Sequence, residues 1–250
     1  MKVRMEWMTW PEIQERLESG TRTAVVVSGS VEQHGPHLPL VTDTAIGEAV
    51  GERVAALLGD ALMAPVLRPA CSDHHMDFPG SFTIPEPLFA ALLEQYCRSL
   101  AHHGFETIVL LSSHGGNFGP IQRCAPAIQA ALPKVKILPV VDLMGYVAAM
   151  NQPLVEAGVS PERAGLHAGV SETAIMLALM PEHCHPERGE EGYLGAFSED
   201  LFKLGFRTVA PNGILGDGRG ARAEWGAAAV ESLARYVAGE IRKALGRTTH

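Results

Sequence analysis

The 250-residue sequence has little cysteine, no long apolar run and no excess of basic residues. Its four cysteines are widely spaced and form no Cys-x-x-Cys pair, which argues against a zinc knuckle and a disulfide framework. No apolar run approaches the length that spans a bilayer. The formal net charge of −8 argues against nucleic-acid and anionic-membrane partners, because both favour basic patches. We therefore expect a cytoplasmic protein with reduced thiols.

The first 141 residues alternate between apolar segments and helical patterns. The apolar segments predict strands at 24–29, 61–67, 107–112 and 135–141, and the patterns between them predict helices at 11–17, 44–58, 87–103 and 120–132. Short connections between strand and helix are typical of a parallel sheet that is covered on both sides. The sequence thus predicts an α/β fold with three α/β/α layers around a mainly parallel central sheet. It contains no internal repeat, so we expect a single domain, 1–250.

The second half of the sequence is less regular. The pattern loosens from Asp142, and helices are predicted only at 174–179 and 222–245. Residues 182–221 are rich in glycine, proline and charge, which predicts an extended arm or lid of low regularity.

A loop rich in metal-ligand types follows the first predicted strand. It contains Glu32 and His34, and Asp43 lies at its far end. In open α/β sheets such a turn lies at the carboxyl edge, where ligands bind. Residues two apart in extended chain project to the same side, so Glu32 and His34 can converge, and the two oxygens of Asp43 could bridge two cations. The alternative is an ordinary polar loop, but its two prolines stiffen it, which favours a site.

Two further loops carry residues of the same kind. His114 follows the third predicted strand, and His167 and Glu172 precede a later helix. Carboxylate oxygens mixed with imidazole suit Zn²⁺ or Mn²⁺, with Fe²⁺ as a further option. Because no cysteine ligand is present, we expect open positions for water and substrate. Two ions that share a carboxylate would hold a bridging hydroxide, which attacks an amide carbonyl while a nearby acid protonates the departing nitrogen.

These residues together resemble the creatininase (creatinine amidohydrolase) family. The resemblance is carried by Glu32-Gln33-His34-Gly35, Asp43, Ser113-His114-Gly115-Gly116-Asn117, and His167 with Glu172-Thr173. Further matches are Phe78-Pro79-Gly80, Gly213-Ile214-Leu215-Gly216-Asp217 and Glu224-Trp225-Gly226. The matches occur in family order over nearly the whole chain.

The resemblance implies a hydrolase of C–N bonds other than peptide bonds, with a binuclear metal centre and a homo-oligomeric, hexameric assembly. It implies that Glu32, Asp43 and His114 hold one metal and that His34 and Asp43 hold the other. The namesake enzyme has a glutamate ligand where this sequence has Gly116, so the chain is similar to the His-Gly-Gly-Asn branch.

Glu172 is our candidate for the missing carboxylate ligand. The alternative is a helix N-terminal acid that is favoured by the helix dipole. His167 matches a family histidine near the substrate, so we expect it to polarise the substrate or transfer a proton. The alternative for His167 is a histidine that bonds backbone at a helix start. Among the other histidines, we expect His75 to line the pocket.

The substrate stays open at this point. Gly115 stands where the namesake has an aromatic residue, and no tryptophan lies between Asp142 and His167. We expect a cyclic amide such as creatinine, or a related small amide. Family members that act on a formamide, or on a short peptide in cofactor biosynthesis, provide the alternative. A non-catalytic module that cradles phosphate at 113–119 is a further alternative, but it leaves Glu32, His34 and Asp43 without a role.

Overall fold

The computed structural model describes residues 2–195 and 204–247, and its central sheet is parallel throughout. The strands are β1 (Thr23–Ser28), β2 (Ala61–Met63), β3 (Thr107–Ser112) and β4 (Lys136–Pro139), in the order β2-β1-β3-β4. In register, Val25 of β1 lies opposite Met63 on one side and Val109 on the other.

Helices follow the strands in alternation. They are α1 (Trp10–Glu18), α2 (Thr42–Leu58), α3 (Glu86–His102), α4 (Phe118–Ala131), α5 (Leu143–Glu156), α6 (Pro161–Ala164), α7 (Val170–Leu179), α8 (Phe206–Val209) and α9 (Ala223–Ala244). Short 3-10 turns lie at Met5–Trp7, Asp73–His75, Gly115–Asn117, Pro181–His183 and Pro186–Arg188. Within the described residues, no helix is long and apolar enough to cross a membrane.

The two faces of the sheet are buried under different helices. Val25 and Val27 of β1 pack with apolar side chains of α2, α5, α7 and α9. Ala24 and Val26 point to the other face and pack with α3 and α4. A strand that is covered on both faces requires an unbroken apolar run, which is what the sequence of β1 has. The predicted α/β/α fold is thereby confirmed.

Element ends follow ordinary capping chemistry. Thr9 and Glu12 form a reciprocal capping box at the start of α1, with Pro11 in its first turn. Gly59 ends α2 with φ +82°, a left-handed conformation that glycine adopts without steric cost. These ends lie within one or two residues of the predicted ones.

Strands β2 and β4 and helix α5 differ from the predictions. β2 stops at Met63, because Pro65 has no N–H to donate and only an isolated bridge joins Leu67 to Ser28. Similarly, β4 ends at Pro139 rather than at residue 141. The third difference is α5, which lies in the part of the sequence where the pattern loosens from Asp142 and no helix is predicted.

The structure defines the helices and the predicted arm in the second half of the chain. Helix α5 starts where the Asp142 side chain accepts a hydrogen bond from the Gly145 amide at 2.9 Å, and α7 begins at Val170, four residues before its predicted start. The described parts of the predicted arm, 182–195 and 204–221, contain only short helical turns and isolated bridges. Residues 196–203 of that prediction lie outside the described residues.

The contact between α7 and α9 requires glycine at position 226. A Cβ there would lie 2.0 Å from the Ala174 carbonyl oxygen, whereas a Cβ at Gly239 of the same helix meets nothing within 4 Å. We therefore expect Gly226→Ala to lower the free energy of unfolding by about 1–3 kcal/mol through overpacking. The matched control Gly239→Ala should raise it by about 0.5–1 kcal/mol, because alanine favours helix. Urea unfolding measures both, and equal effects would contradict this packing account.

Candidate metal centre

Two strand ends and two helix starts bring five ionisable side chains together. Glu32 and His34 follow β1, His114 follows β3, and Asp43 and Glu172 lie in the first turns of α2 and α7. Parallel strands place their carboxyl ends at one edge of the sheet, which explains why residues 32 and 114 meet. None of the five is more than 6% exposed, so each charge requires a buried partner.

Two groups of potential ligands share Asp43, and a third group consists of Glu32, His34 and His167. In the first group, His114 Nδ1 lies 3.0 Å from Glu32 Oε1 and 3.2 Å from Asp43 Oδ2. In the second, His34 Nε2 lies 3.3 Å from Asp43 Oδ1 and 3.8 Å from Glu172 Oε2. Within each group the potential ligand atoms lie within 4.8 Å of one another. Each oxygen of Asp43 therefore serves a different group.

The remote ring nitrogens of both histidines face main-chain carbonyls. His34 Nδ1 lies 3.1 Å from the Glu32 carbonyl oxygen, and His114 Nε2 lies 3.1 Å from that of Cys71. A carbonyl only accepts, so these nitrogens carry the N–H of a neutral ring. The opposite nitrogens then direct lone pairs at carboxylates. Such an arrangement needs a cation between them, either a proton or a metal ion.

The pKa values in the site reflect a competition between burial, which disfavours charge, and neighbouring groups of opposite charge, which favour it. Burial opposes protonation of His34, but the carboxylates of Asp43, Glu172 and Glu32 outweigh it and raise the pKa of this ring to about 9. Burial likewise opposes protonation of His114, and Glu32 with Asp43 holds its pKa well above the ordinary value. Burial would raise the pKa of Asp43, yet the two histidines lower it well below the ordinary value. Asp43 is therefore the anionic centre of the site.

Glu32 is a buried carboxylate without hydrogen bonds. His114 Nδ1 and His75 Nε2 lie 3.0 and 3.1 Å from its Oε1, but neither oxygen of Glu32 accepts a hydrogen bond from any described residue. Burial raises the pKa of this carboxyl group. Two orphaned anionic oxygens beside the His114 nitrogen are a donor set for a divalent ion. The residues present thus fit a metal.

Glu172 is held by strained backbone. Its Oε2 accepts a hydrogen bond from the Ala168 amide at 2.6 Å, and Ala168 has φ +54°, the left-handed region that favours glycine. Burial, with Asp43 and Glu32 adding to it against His34, raises the pKa of Glu172 to about 7. Glu172 therefore lies in the first turn of α7, where it accepts a backbone hydrogen bond, and it also lies among the potential ligands.

His167 belongs to the third group of potential ligands and lines the cavity. Its ring centroid is 4.2 Å from that of His34, and its Nε2 donates to the Gln33 carbonyl oxygen at 2.9 Å. Burial and the neighbouring His34 hold its pKa well below the ordinary value, so the ring is neutral. His167 therefore both bonds a main-chain carbonyl and lies at the candidate site, so the two interpretations of this residue are compatible.

A small cavity of about 60 Å³ opens onto these side chains. Its floor includes Glu32, Asp43, His114, His167 and Glu172, and its largely apolar wall comes from α5 and from residues near it: Leu143, Met144, Tyr146, Val147, Met150, Phe118, Leu166, Phe206 and Leu215. No tryptophan is among the residues that line it. His75 also lines the cavity, in agreement with the expectation from its sequence position.

Two features of the site escaped sequence reasoning. Gln33, which contacts both His75 and His167, was passed over because it stands between two more conspicuous candidates. Gly116 is closely enclosed, since a Cβ there would lie 2.4 Å from His114 Nε2 and 2.5 Å from the Cys71 carbonyl oxygen. No side chain fits at position 116 in this arrangement, which explains why a carboxylate ligand has to come from elsewhere.

The chain is similar in sequence and in structure to several known proteins. The family model described as creatinine amidohydrolase matches residues 6–241. The mycofactocin precursor peptide peptidase of Mycobacterium tuberculosis (strain ATCC 25618 / H37Rv) is 33% identical over 239 residues, covering 89% of this chain and 87% of the relative. Creatinine amidohydrolase of Pseudomonas putida is 28% identical over 253 residues, covering 94% and 95%. A solved creatininase variant of the Zn–Zn type superposes with a TM-score of 0.82 at 26% identity, covering 98% of each chain.

Metal binding should release protons at neutral pH. Without metal, His34 is protonated at pH 7 because its pKa is about 9, and a metal ion binds only the neutral ring. Calorimetric titration with Zn²⁺ in buffers of different ionisation enthalpy should detect about one or more protons released per protein at pH 7. The contribution of His34 should decline as the pH rises through 9, where its ring is already neutral. Zinc binding without proton release at pH 7 would contradict the assigned ring chemistry.

Proposed function

Since the chain belongs to the creatininase family of hydrolases, we propose that it is a metal-dependent amidohydrolase that cleaves the C–N bond of a small amide. The observation that carries the proposal is the buried carboxylate–imidazole cluster centred on Asp43, in which Glu32 has no hydrogen-bond partner among the described residues. Three carboxylates so close together in a protein interior need cations or protons to balance their charge. The non-catalytic alternative leaves this cluster unexplained.

We assign two divalent ions, Zn²⁺ or Mn²⁺, to the two groups of side chains. Glu32, Asp43 and His114 would hold the first ion, and His34, Asp43 and Glu172 the second. Bound there, the ions would lower the pKa of water towards about 7 and polarise the amide carbonyl. Fe²⁺ fits the same ligand types.

His167 and Glu172 are the residues that we assign to proton transfer. His167 is neutral and borders the cavity, so it can polarise the substrate or accept and return a proton. Glu172 lines the cavity and is our candidate for transfer of a proton to the departing nitrogen; its pKa of about 7 holds for the protein without metal, because a bound ion would keep this carboxylate deprotonated. The apolar wall formed by α5 and Phe206 excludes water from the reacting bond, which strengthens the electrostatic interactions there.

A short-peptide peptidase is the second candidate. The mycobacterial peptidase is more similar to this chain than the Pseudomonas enzyme, at 33% against 28% identity. In addition, the cavity is lined by aliphatic side chains and by Phe118, Tyr146 and Phe206, without the tryptophan that would enclose a flat ring. These observations favour a flexible acyl or peptide substrate over creatinine itself.

We also propose that the chain works as one catalytic domain in a cytoplasmic homo-oligomer. The four cysteines are free, which suits a reducing compartment. Trp7 and Trp10 are 58% and 75% exposed, and Phe82 is 67% exposed, so apolar surface is available for self-association. Sedimentation of the metal-loaded protein measures the assembly, and a monomer at all concentrations would refute it.

Substitutions should separate metal binding from turnover. Glu32→Ala and Asp43→Ala should remove metal and activity together, because both ligand and charge are lost. His167→Ala should keep most of the metal and lower kcat by about 10²–10⁴-fold through loss of proton transfer. Metal analysis and kinetics measure both effects, with His183→Ala on the exposed surface as the matched control. Loss of metal in the His167 variant would show that this residue is a ligand.

A substrate panel tests the reaction itself. We expect the zinc- or manganese-loaded protein to release an amine from at least one class among lactams including creatinine, formamides and short peptides. Turnover should disappear with the Asp43→Ala variant. Preference for peptides would select the second candidate, and no turnover on any class with a full complement of metal would refute the amidohydrolase proposal.

A further inference from the structure

The side chain of Gln33 joins two histidines of the site. It is only 5% exposed, and its Nε2 lies 2.9 Å from His75 Nδ1, 3.0 Å from His167 Nε2 and 3.2 Å from the Gly213 carbonyl oxygen. Its Oε1 accepts a hydrogen bond from the Gly35 amide at 2.9 Å. Both ends of the amide are therefore engaged, although Gln33 belongs to no group of potential ligands.

The orientation of this amide is fixed by its two main-chain partners. The Gly35 N–H can only donate, so the oxygen of Gln33 must face it. The Gly213 carbonyl can only accept, so the nitrogen must face that side. Both contacts demand the same orientation, and one of the two amide protons goes to Gly213. A single proton is left for the two histidines.

That proton goes to His75. His167 Nε2 lies 2.9 Å from the main-chain carbonyl oxygen of Gln33, so this nitrogen carries its own N–H and cannot accept another. His75 Nδ1, at 2.9 Å, is the remaining acceptor. A neutral His75 ring therefore carries its proton on Nε2, which lies 3.1 Å from Glu32 Oε1.

The consequence is a matched pair of ring tautomers. His75 places its protonated Nε2 3.1 Å from Glu32 Oε1, so that an electrostatic attraction, although not a hydrogen bond, replaces the repulsion between a lone pair and an anion. His167 keeps its lone pair on Nδ1, the nitrogen that forms no hydrogen bond with the described residues and is free to accept a proton.

We propose that Gln33 is a positioning residue whose side-chain amide sets the tautomer of His75, while its main-chain carbonyl sets that of His167, so that the protonated nitrogen of His75 faces Glu32 and Nδ1 of His167 keeps its lone pair. The inference rests on the proposed function only for its effect on turnover; the tautomers follow from the hydrogen bonds. Gly213 supports it, because a Cβ there would lie 1.9 Å from Gln33 Oε1. The backbone at position 213 leaves space for the Gln33 amide, whereas a side chain at position 213 would clash with it.

Gln33→Glu is the sharpest test, since it keeps the shape and replaces the donating amide by a group that only accepts when ionised. His75 Nδ1 should then become protonated. Nitrogen NMR of the zinc-loaded protein with labelled histidine distinguishes a protonated from an unprotonated ring nitrogen, and His75→Asn assigns the resonance. We expect an unprotonated His75 Nδ1 in the parent protein, a protonated one in the variant, and a loss of kcat of about 10–100-fold.

Gln122→Glu on the exposed face of α4 is the matched control, because it makes the same chemical change away from the site. It should alter neither the His75 resonance nor kcat. If Gln33→Glu does not fold, Gly213→Ala displaces the same side chain and should likewise alter the His75 signal.

A protonated His75 Nδ1 in the parent protein, or an unchanged signal in the folded Gln33→Glu variant, would overturn the inference. The resonance requires no turnover, so it decides the role of Gln33 even when no substrate of the panel is cleaved. Conversely, an active enzyme with the wrong tautomer would refute this inference and leave the amidohydrolase proposal intact.

Discussion

The structure depends on a single buried carboxylate that serves two imidazole rings at once. Asp43 faces His114 with one oxygen and His34 with the other, at 3.2 and 3.3 Å. The rings can approach it in this way because main-chain carbonyls of Glu32 and Cys71 engage their remote nitrogens. Charge of this density in a protein interior requires compensation by cations. The whole site is therefore arranged around the two sides of Asp43.

The fold itself brings these residues together. Parallel strands β1 and β3 end at the same edge of the sheet, and the starts of α2 and α7 place Asp43 and Glu172 at that edge. A serine beside the site, Ser30, donates to Asp43 Oδ2 at 2.6 Å and fixes the carboxylate. Rigid strand ends and hydrogen-bonded ligands together hold the site ready for metal, so little order has to be created on binding.

The sequence predicted the layers and most ligand candidates because both depend on local patterns. Buried parallel strands leave unbroken apolar runs, and the ligand-type residues stand directly after them. Helix α5 was missed because Gly145 and Pro153 are locally unfavourable to helix and are tolerated through packing. The part played by Gln33 could not be predicted, since its partners His75, His167 and Gly213 lie far away in the chain and meet only in the folded protein.

The most direct measurement of the central claim is anomalous X-ray diffraction from crystals of the zinc-loaded protein. We expect two zinc peaks about 3.5–4 Å apart, both in contact with Asp43. One should also contact Glu32 and His114, and the other His34 and Glu172. Zinc bound away from Asp43, or a fully loaded site with one peak only, would contradict the account.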